Sequence, residues 1–378
     1  MTYKIVFISA AYKNALNAIE FDYLDNKKIE GWKYLEQSLF DMRFGWSNYF
    51  STYLKELGVE ASNIVIGWDL LTSEWSRQNV NNIGSTDNYL LARIKKLAPD
   101  VVFIEDINSI SEDFLKSLKL VCPSIRLIVA HICAPMTRKS KDKIMYLDFI
   151  ISCTPGYVRY FKKIGLNAHL MYHGFEPVES NLISDSANKL QKISFFGSLN
   201  PSSRLHFSRI HFLKALVDSQ VPIDIYSNNM SKMQLFKTLL RLSPKKALNL
   251  PINFLLSKFN PQVNGINYLI EQSKYLVAFN NHIDDAGEFA GNMRLFEASG
   301  VGSCLLTDRK SNLGDLFIED MHLLAYSSKR ELVEKAKWLL NHPTQAQMMG
   351  DAAMKHTHRV HSYASRATEL NEIIVKHL

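Results

Sequence analysis

An alternation of short apolar strands with amphipathic helices runs along the sequence and restricts it to the α/β folds. Tyr3 to Ala10 is the first predicted strand, and it is apolar enough to be buried on both faces. The alternation continues to about residue 172 and starts again at Lys192-Ile-Ser-Phe-Phe-Gly197. Strands that alternate with helices predict a parallel, doubly wound sheet, and the restart predicts a second one. The length of 378 residues suits two such domains.

The boundary between the two domains is predicted in a polar stretch that lacks hydrophobic periodicity. Ser180 to Leu190 is rich in Ser and Asn, which is typical of a linker. We therefore predict a first domain over residues 1–180, a linker over 181–191 and a second domain over 192–355. The remaining residues, 356–378, are predicted to form a terminal helix.

Composition and cysteine usage predict a globular protein of the cytoplasm. Hydrophobic residues make up 47% of the chain and charged residues 21%. The first apolar stretch is too short for a signal peptide, and no apolar run reaches transmembrane length. The four cysteines lie in or beside apolar runs without Cys-x-x-Cys spacing, which predicts reduced, buried thiols at Cys122, Cys133, Cys153 and Cys304.

Several common site motifs are missing from the sequence. No Gly-x-Gly-x-x-Gly follows the first strand, and there is neither a P-loop nor a Gly-x-Ser-x-Gly nucleophile turn. No Asp-x-Asp metal anchor and no His/Cys zinc spacing is present. These absences favour an enzyme without a metal or cofactor, in which a helix N-terminus and basic side chains stabilise leaving-group charge.

The segment over residues 287–307 has the parts of a phosphate site. A Gly-rich loop leads into a short helix from Met293 to Ser299, and a buried strand follows. The N-terminus of a helix presents unpaired N–H groups and a positive dipole end to an anion. Arg294 adds guanidinium donors for phosphate, and Glu297, about one turn later, can accept from ribose hydroxyls. An ordinary ion pair between Arg294 and Glu297 is the alternative.

The same segment also indicates a family. The run Arg294-Leu-Phe-Glu-Ala-Ser-Gly-Val-Gly-Ser-Cys-Leu-Leu-Thr307 resembles the donor-binding segment of the GT-B glycosyltransferases, and in particular the bacterial branch that includes the spore-maturation CgeB-like proteins. Asn312 to Phe317, Glu331 to His342 and His361 to Arg366 follow in that family's order. The resemblance covers most of the C-terminal half and is looser before it. It implies two Rossmann-like parallel-sheet domains with a cleft between them and a C-terminal helix that crosses back to the first domain.

The resemblance implies that the second domain binds a nucleotide-sugar donor and that the first binds the acceptor. The wider retaining GT-B group carries a second Glu eight positions before the ribose-binding Glu. Here Phe289 occupies that position, and Glu288 lies one residue out of register. The catalytic candidates are His131, Arg294 and Glu288. The donor-binding candidates are Gly197, Ser198, Arg204, Tyr226, Ser227, Asn228, Asn280, His282, Asn292, Met293, Arg294 and Glu297.

His131 is the best-placed titratable group of the first half, because it ends the predicted strand from Ile125. Ligands of open parallel sheets bind beyond the carboxyl ends of strands. His131 is therefore predicted to act as a general base toward an acceptor hydroxyl or to bind the donor sugar. A polar residue satisfied within the protein is the alternative. The further acceptor-side candidates are Asp22 and Asp25, in an aromatic and acidic region, and His173.

A basic segment over residues 232–258 contains six Lys or Arg residues among aliphatic and aromatic ones, and no Asp or Glu occurs between Ile225 and Ile270. Such a segment can lie on an anionic membrane surface. A helix packed by its apolar face, with solvated lysines outside, is the alternative. Nucleic acid is not expected, because the apolar residues are mostly aliphatic and offer few rings for base stacking.

Together these features predict a metal-independent glycosyltransferase that moves a sugar from a nucleotide-sugar to an acceptor hydroxyl. We expect a glycan or lipid-linked glycan acceptor in bacterial cell-surface polysaccharide or glycoconjugate synthesis, at the inner face of the cytoplasmic membrane. A nucleotide-sugar epimerase on the same fold is one alternative. A non-catalytic sugar- or nucleotide-binding protein is another.

Overall fold

The chain forms two compact units in a computed structural model. The first unit comprises Met1–Tyr172 and Tyr363–Leu378, and the second comprises His173–Ser362. The structure describes residues 2–11, 16, 19–21, 23, 31–43, 45, 47–80, 84–133, 136–183, 189–201 and 205–378.

The first unit is built on a sheet of six parallel strands in the order β2-β1-β3-β4-β5-β6. The central strands β3 and β4 are buried along their whole length, as expected for a sheet covered on both faces. This confirms the parallel sheet predicted from the alternating pattern. The strands are β1 (Lys4–Ala10), β2 (Glu60–Ile66), β3 (Val101–Ile104), β4 (Leu127–His131), β5 (Phe149–Ser152) and β6 (Ala168–Leu170).

Helices connect these strands, and several begin at a residue whose side chain caps the first turn. The hydroxyl of Ser111 accepts a hydrogen bond from the Phe114 amide, and Ser85 does the same for Asn88. The described helices before residue 172 are α1 (Trp32–Asp41), α2 (Tyr49–Glu56), α3 (Asp69–Asn79), α4 (Thr86–Leu97), α5 (Glu112–Val121), α6 (Arg138–Lys143) and α7 (Pro155–Lys163).

The second unit is built on a sheet of five parallel strands in the order β11-β10-β9-β7-β8. Strands β9 and β10 lie inside this sheet and are fully buried. The strands are β7 (Leu190–Phe196), β8 (Ile223–Tyr226), β9 (Tyr275–Phe279), β10 (Cys304–Asp308) and β11 (Leu323–Tyr326).

The helices of the second unit pack around this sheet and form its own hydrophobic core. Gly302 follows the helix that begins at Met293 with φ +74°, which only glycine adopts at low cost. The helices are α8 (Phe207–Asp218), α9 (Lys232–Leu239), α10 (Pro244–Leu248), α11 (Ile252–Leu255), α12 (Ile266–Ser273), α13 (Met293–Gly300), α14 (Leu313–Leu316), α15 (Lys329–Asn341) and α16 (Pro343–Val360).

The last helix, α17 (Tyr363–His377), returns to the first unit, as the predicted architecture requires. Its first residue, Tyr363, packs against Tyr49 with ring centroids 4.8 Å apart and against Phe50 at 5.5 Å. The Tyr3 hydroxyl donates to Asn371 Oδ1 at 2.9 Å, which fixes the helix to the start of β1.

The domain boundaries differ from the predicted ones at both crossings. The chain leaves the first unit after Tyr172, before the predicted linker, because the next residues pack on the second unit. The Phe175 ring stacks on His358 at 5.3 Å, and the Phe175 amide donates to the His361 carbonyl. Likewise α16 extends to Val360, so that only residues from Tyr363 onward return.

Among the described residues, no helix combines the length and the apolar character needed to cross a lipid bilayer.

Candidate functional site

The second sheet has a topological switch point between β7 and β9. The strand next to β7 on its other side is β8, whereas β10 and β11 lie beyond β9. Ligands of open α/β sheets bind outside the carboxyl ends of the strands at such a point. Gly197 and Ser198 follow β7, and Asn280 and His282 follow β9. The structure thus brings these four predicted donor-side residues to one edge.

The loop before α13 is tied to this edge through two asparagines. Asn292, the residue before the helix, donates from its side chain to Asn280 Oδ1 at 2.8 Å instead of capping the helix. Asn280 in turn donates to Thr307 Oγ1 at 2.9 Å. The first amides of α13, those of Met293 and Arg294, therefore have no side-chain cap. They are the anion-binding donors expected at a helix N-terminus.

Arg294, in the first turn of α13, forms an ion pair through its Nη1 atom, but this atom donates no hydrogen bond to the described residues. Its Nη1 lies 3.2 Å from Glu297 Oε2, which is the intrahelical pair named as the alternative above. The geometry of this pair is not that of a hydrogen bond, and Nη1 is buried without a hydrogen-bond acceptor among the described residues. Burial disfavours the charged guanidinium, but Tyr268 and Glu297 outweigh it and raise the pKa of Arg294. The Tyr268 ring lies 4.1 Å away and supports the charge through a cation–π contact.

His282 and Asp308 form a buried pair at the ends of β9 and β10. His282 Nδ1 lies 2.7 Å from Asp308 Oδ1, and the His282 amide donates to the same oxygen at 3.0 Å. Burial alone would raise the pKa of Asp308, but His282 and Lys310 lower it to about 2. Because Asp308 is ionised, Nδ1 is the protonated nitrogen that donates to it. His282 Nε2 is buried and has no partner within the described part of the chain.

A cavity of about 560 Å³ opens beside this pair within the second unit. Its volume falls in the range of small-molecule sites, roughly 300–1,000 Å³. Its lining combines apolar side chains with polar and charged ones, which include Ser208, Asn281, His282, Asp308, Lys310 and Tyr326. The mixture of apolar, acidic and basic side chains suits a ligand that has both apolar faces and hydrogen-bonding groups.

Arg209 on α8 joins the loops after β7 and β9, and it was not among the predicted site residues. It is buried, and it donates to the Asn281 carbonyl from Nη2 at 2.6 Å and to the Ser198 carbonyl from Nη1 at 3.2 Å. Burial, followed by the nearby Arg294, lowers its pKa to about 10. A Cβ on Gly197 would lie 2.9 Å from the Phe195 ring, so a larger residue at this turn would require the ring to move. A helical arginine carries no distinctive sequence signal, which explains why it was missed.

Other predicted donor-side residues are placed differently. The Tyr226 hydroxyl donates to Glu271 at 2.8 Å and its ring stacks on Phe196 at 4.2 Å, so these groups are engaged within the protein rather than free for a base. Ser227 is buried and Asn228 is exposed after β8. Glu288 is exposed, and its carbonyl accepts from the Ser311 amide. Arg204 lies outside the described residues.

The first unit has its own switch point, between β1 and β3. Glu105 follows β3 at this point, one residue after Ile104, which pairs with Ala130 of β4. It was not predicted as a site residue. Burial raises the pKa of Glu105 to about 8, against the opposing effect of the Ser9 hydroxyl. Its sequence signal was present, since an acidic residue comes directly after the buried strand.

The acceptor-side candidates Asp22 and Asp25 lie outside the described residues.

His131 ends β4 as predicted and is buried, but it contacts sulfur. His131 Nε2 lies 2.9 Å from Cys133 Sγ, and the Cys153 amide donates to the same sulfur at 2.7 Å. Burial, followed by Cys153, raises the pKa of the Cys133 thiol. The imidazole is therefore part of a His/Cys cluster rather than an open base. His173, the other histidine candidate, is the first residue of the second unit.

Comparison with known proteins gives a family match over part of the chain and fold matches along nearly all of it. Residues 212–372 match the family model described as glycosyl transferase-like. A search of curated protein sequences returns no significant match. HepE from Anabaena, solved in complex with UDP and glucose, is 12% identical with a TM-score of 0.60, and the match covers 99% of this chain and 100% of HepE.

Two further solved structures match with similar coverage. A glycosyltransferase from Rickettsia africae is 11% identical with a TM-score of 0.60, over 100% of this chain and 98% of that one. An alpha-glucosyltransferase in complex with UDP and a mismatched 13-mer DNA is 11% identical with a TM-score of 0.59, over 99% of both chains. The two parallel sheets and the structural matches along nearly the whole chain show the GT-B fold, and residues 212–372 resemble the glycosyl transferase-like family.

Proposed function

We propose that the second unit binds a nucleoside-diphosphate sugar and that its sugar is transferred to a hydroxyl group of an acceptor bound by the first unit. One observation carries the proposal. Arg294 Nη1, Asn281 Oδ1 and His282 Nε2 are buried without a hydrogen-bond partner among the described residues, and all three belong to the switch-point region of the second sheet. Buried polar groups in folded proteins are nearly always paired. A polar ligand is the simplest partner for these atoms.

Each of these groups has a role that suits its chemistry. Arg294 and the first amides of α13 bind the diphosphate, because they combine a fixed positive charge with N–H donors. Asn281 Oδ1 accepts a hydrogen bond from a sugar hydroxyl, and His282 Nε2 forms a hydrogen bond with another. Glu297 accepts from the ribose hydroxyls once the guanidinium of Arg294 turns toward phosphate. The Glu297 side chain is 22% exposed, which leaves it accessible for that contact.

The reaction forms a bond between the acceptor oxygen and the anomeric carbon of the sugar. The bond from that carbon to the terminal phosphate oxygen breaks, and the nucleoside diphosphate leaves with its charge stabilised by Arg294 and α13 rather than by a divalent ion. Glu105 is the proposed acceptor of the hydroxyl proton, because it follows β3 at the switch point of the first unit and burial raises its pKa to about 8. His131 is less suited, because Cys133 Sγ lies 2.9 Å from its Nε2.

UDP is the first nucleotide to test. Both HepE and the alpha-glucosyltransferase, which share this fold over nearly the whole chain, were solved in complex with UDP. Thermal unfolding should be followed with UDP, GDP, CDP, CMP, TDP and ADP, each with and without EDTA. A nucleotide present at 100 times its Kd stabilises the folded unit by about 2.7 kcal/mol, or roughly 5 °C or more in Tm for a unit of this size.

The outcomes separate the proposed transferase from its alternatives. A single nucleotide that raises Tm in the presence of EDTA supports a metal-independent donor site. Turnover of the nucleotide-sugar without any acceptor supports an epimerase. If no nucleotide raises Tm by more than about 1 °C, the donor site is contradicted and the non-catalytic alternative gains weight.

We further propose that the segment over residues 232–258 contacts an anionic membrane that carries a lipid-linked acceptor for cell-surface glycan synthesis. Part of this segment packs inward, with Leu235, Leu242 and Phe254 in the core of the second unit. Other apolar side chains are exposed, including Leu240 at 71% and Leu248 at 86%. Exposed Lys and Arg residues lie between them, and no Asp or Glu of this segment opposes an anionic surface.

Co-sedimentation with liposomes tests this contact. Binding to phosphatidylglycerol vesicles but not to phosphatidylcholine vesicles is expected, and K237E/R241E should abolish it. The matched control is K329E/K337E, which makes the same charge change on α15. Equal sedimentation with and without anionic vesicles, or equal loss in both double variants, would count against the proposed surface.

A further inference from the structure

Three metal-ligating side chains of the first unit converge where β4 and β5 end. The Nε2 atom of His131 and the Sγ atoms of Cys133 and Cys153 all lie within 4.8 Å of one another. The shortest of these separations is 2.9 Å, between His131 Nε2 and Cys133 Sγ. The four cysteines all lie among the described residues, and none of them forms a disulfide.

Strand pairing determines this convergence. β4 and β5 are neighbours in the parallel sheet, with His131 opposite Ile151 in the register. The Ile132 amide donates to the Ile151 carbonyl at 2.9 Å, and the Ser152 hydroxyl donates back to the Ile132 carbonyl at 2.7 Å. Both strand ends are therefore fixed by hydrogen bonds immediately before the two cysteines. The cluster is a consequence of the sheet and not of mobile side chains that meet by chance.

The sulfur of Cys133 has the surroundings of a metal-bound thiolate. The Cys153 amide donates to this sulfur at 2.7 Å. An N–H donor that supports a ligating sulfur is a typical outer-shell contact of metal sites. The Ser152 hydroxyl lies 4.0 Å from the same sulfur, at the edge of hydrogen-bond distance.

We propose that His131, Cys133 and Cys153 bind a Zn²⁺ ion. Two thiolates and an imidazole are a soft to borderline donor set, whereas Mg²⁺, Ca²⁺ and Mn²⁺ select oxygen ligands. Three protein ligands leave the fourth tetrahedral position to water or another donor. Zn–S bonds of about 2.3 Å and Zn–N bonds of about 2.0 Å place sulfur and nitrogen roughly 3.5 Å apart in a tetrahedral site. The His131–Cys133 separation must therefore open by about half an ångström.

The site goes beyond the proposed transfer reaction and does not depend on it. Binding displaces the protons of the two thiols, so Zn²⁺ uptake releases two protons to solvent. The ion fixes the ends of β4 and β5 at the edge where the first unit presents Glu105. It also occupies the imidazole nitrogen that would otherwise accept a proton, so that His131 has a structural rather than an acid–base role.

Metal analysis and cobalt substitution of the full, reduced chain test the proposal. The protein purified without a metal-binding tag is expected to contain one zinc per chain by mass spectrometry. After zinc removal, a Co²⁺ titration is expected to give the thiolate-to-cobalt charge-transfer absorption and to saturate at one equivalent. The variants C133S and C153S should lose this absorption and the stoichiometric zinc, whereas C122S, which changes another buried cysteine of the same unit, should retain both.

Several results would overturn the zinc site. A reduced wild-type chain that takes up no zinc and shows no cobalt charge-transfer band contradicts it, and this result needs no variant to fold. Alkylation that reveals a Cys133–Cys153 disulfide in protein purified under reducing conditions contradicts it as well. The nucleotide-dependent Tm shift, measured on zinc-free and zinc-loaded protein, is expected in both, so failure of the metal site and failure of the donor site are distinguishable.

Discussion

Arg294 supplies the most quantitative prediction, because its surroundings separate a role in folding from a role in binding. R294A removes a guanidinium whose Nη1 is buried without an acceptor among the described residues. Hydrogen bonds to charged groups contribute about 1.5–3 kcal/mol. The Kd for UDP, or for whichever nucleotide binds, is therefore expected to rise about 10- to 150-fold. R294K keeps the positive charge but not the planar fork of donors. Its Kd should therefore lie between those of the wild type and R294A.

Stability changes in R294A must be measured separately from binding. The variant also loses the cation–π contact with Tyr268 at 4.1 Å and the ion pair with Glu297 at 3.2 Å. Together these contacts should cost about 1–2 kcal/mol of unfolding free energy without nucleotide. Isothermal titration calorimetry, at a temperature where the wild type and R294A are both folded, measures the nucleotide affinity separately from stability.

The matched control for R294A is R330A, which removes an arginine that is 89% exposed and paired with Glu334 on α15. R330A should bind nucleotide as the wild type does. A Kd for R294A within twofold of the wild-type value, with R330A also unchanged, would refute the assignment of the diphosphate to Arg294.

Three other substitutions have outcomes that the structure determines. E105Q should raise the unfolding free energy by about 2–5 kcal/mol at pH 9 and leave it unchanged at pH 4. The folded pKa of Glu105 is raised from 4.5 to about 8, so the carboxyl destabilises the fold increasingly as pH rises between these two values and fully above the higher one. D308N should lower the unfolding free energy by about 2 kcal/mol at pH 7, because the folded pKa of Asp308 is depressed to about 2. The difference in unfolding free energy between D308N and the wild type should vanish as pH falls through that value. Denaturant unfolding across pH measures both effects. G300A should cost about 1–3 kcal/mol, because a Cβ at this position clashes with the Phe175 ring, whereas G314A meets no neighbour and serves as the control.

Much of the architecture could be predicted from the alternating pattern, because buried parallel strands are apolar over their whole length. β1 covers Lys4–Ala10 of the predicted Tyr3–Ala10, and β4 ends at His131 as predicted. Helix α3 was missed because only Leu71 and Trp75 of its 11 residues are buried, so its hydrophobic periodicity is weak. The edge strand β11, Leu323–Tyr326, was missed as well.

The parts of the candidate site that lie in one continuous segment could be predicted from the sequence. The parts that are brought together by the pairing of strands distant in sequence could not. The loop and helix around Arg294 are contiguous in sequence, so their phosphate-site pattern was visible. The cluster of His131 with Cys133 and Cys153 was not, since Cys153 lies on the next strand and the spacing matches no zinc motif. Glu105 falls between these cases. Its place after a strand was visible, but its burial at the switch point depends on the strand order.

The position of a bound nucleotide is the most direct test of the central claim, that the second unit binds a nucleoside-diphosphate sugar at its switch-point edge. A crystal structure of the full chain with the nucleotide that most raises Tm would show it. The account predicts the diphosphate within hydrogen-bond distance of Arg294 Nη1 and of the first amides of α13, with the sugar beside Asn281 and His282. A diphosphate bound elsewhere, with those three side chains unchanged, would contradict it.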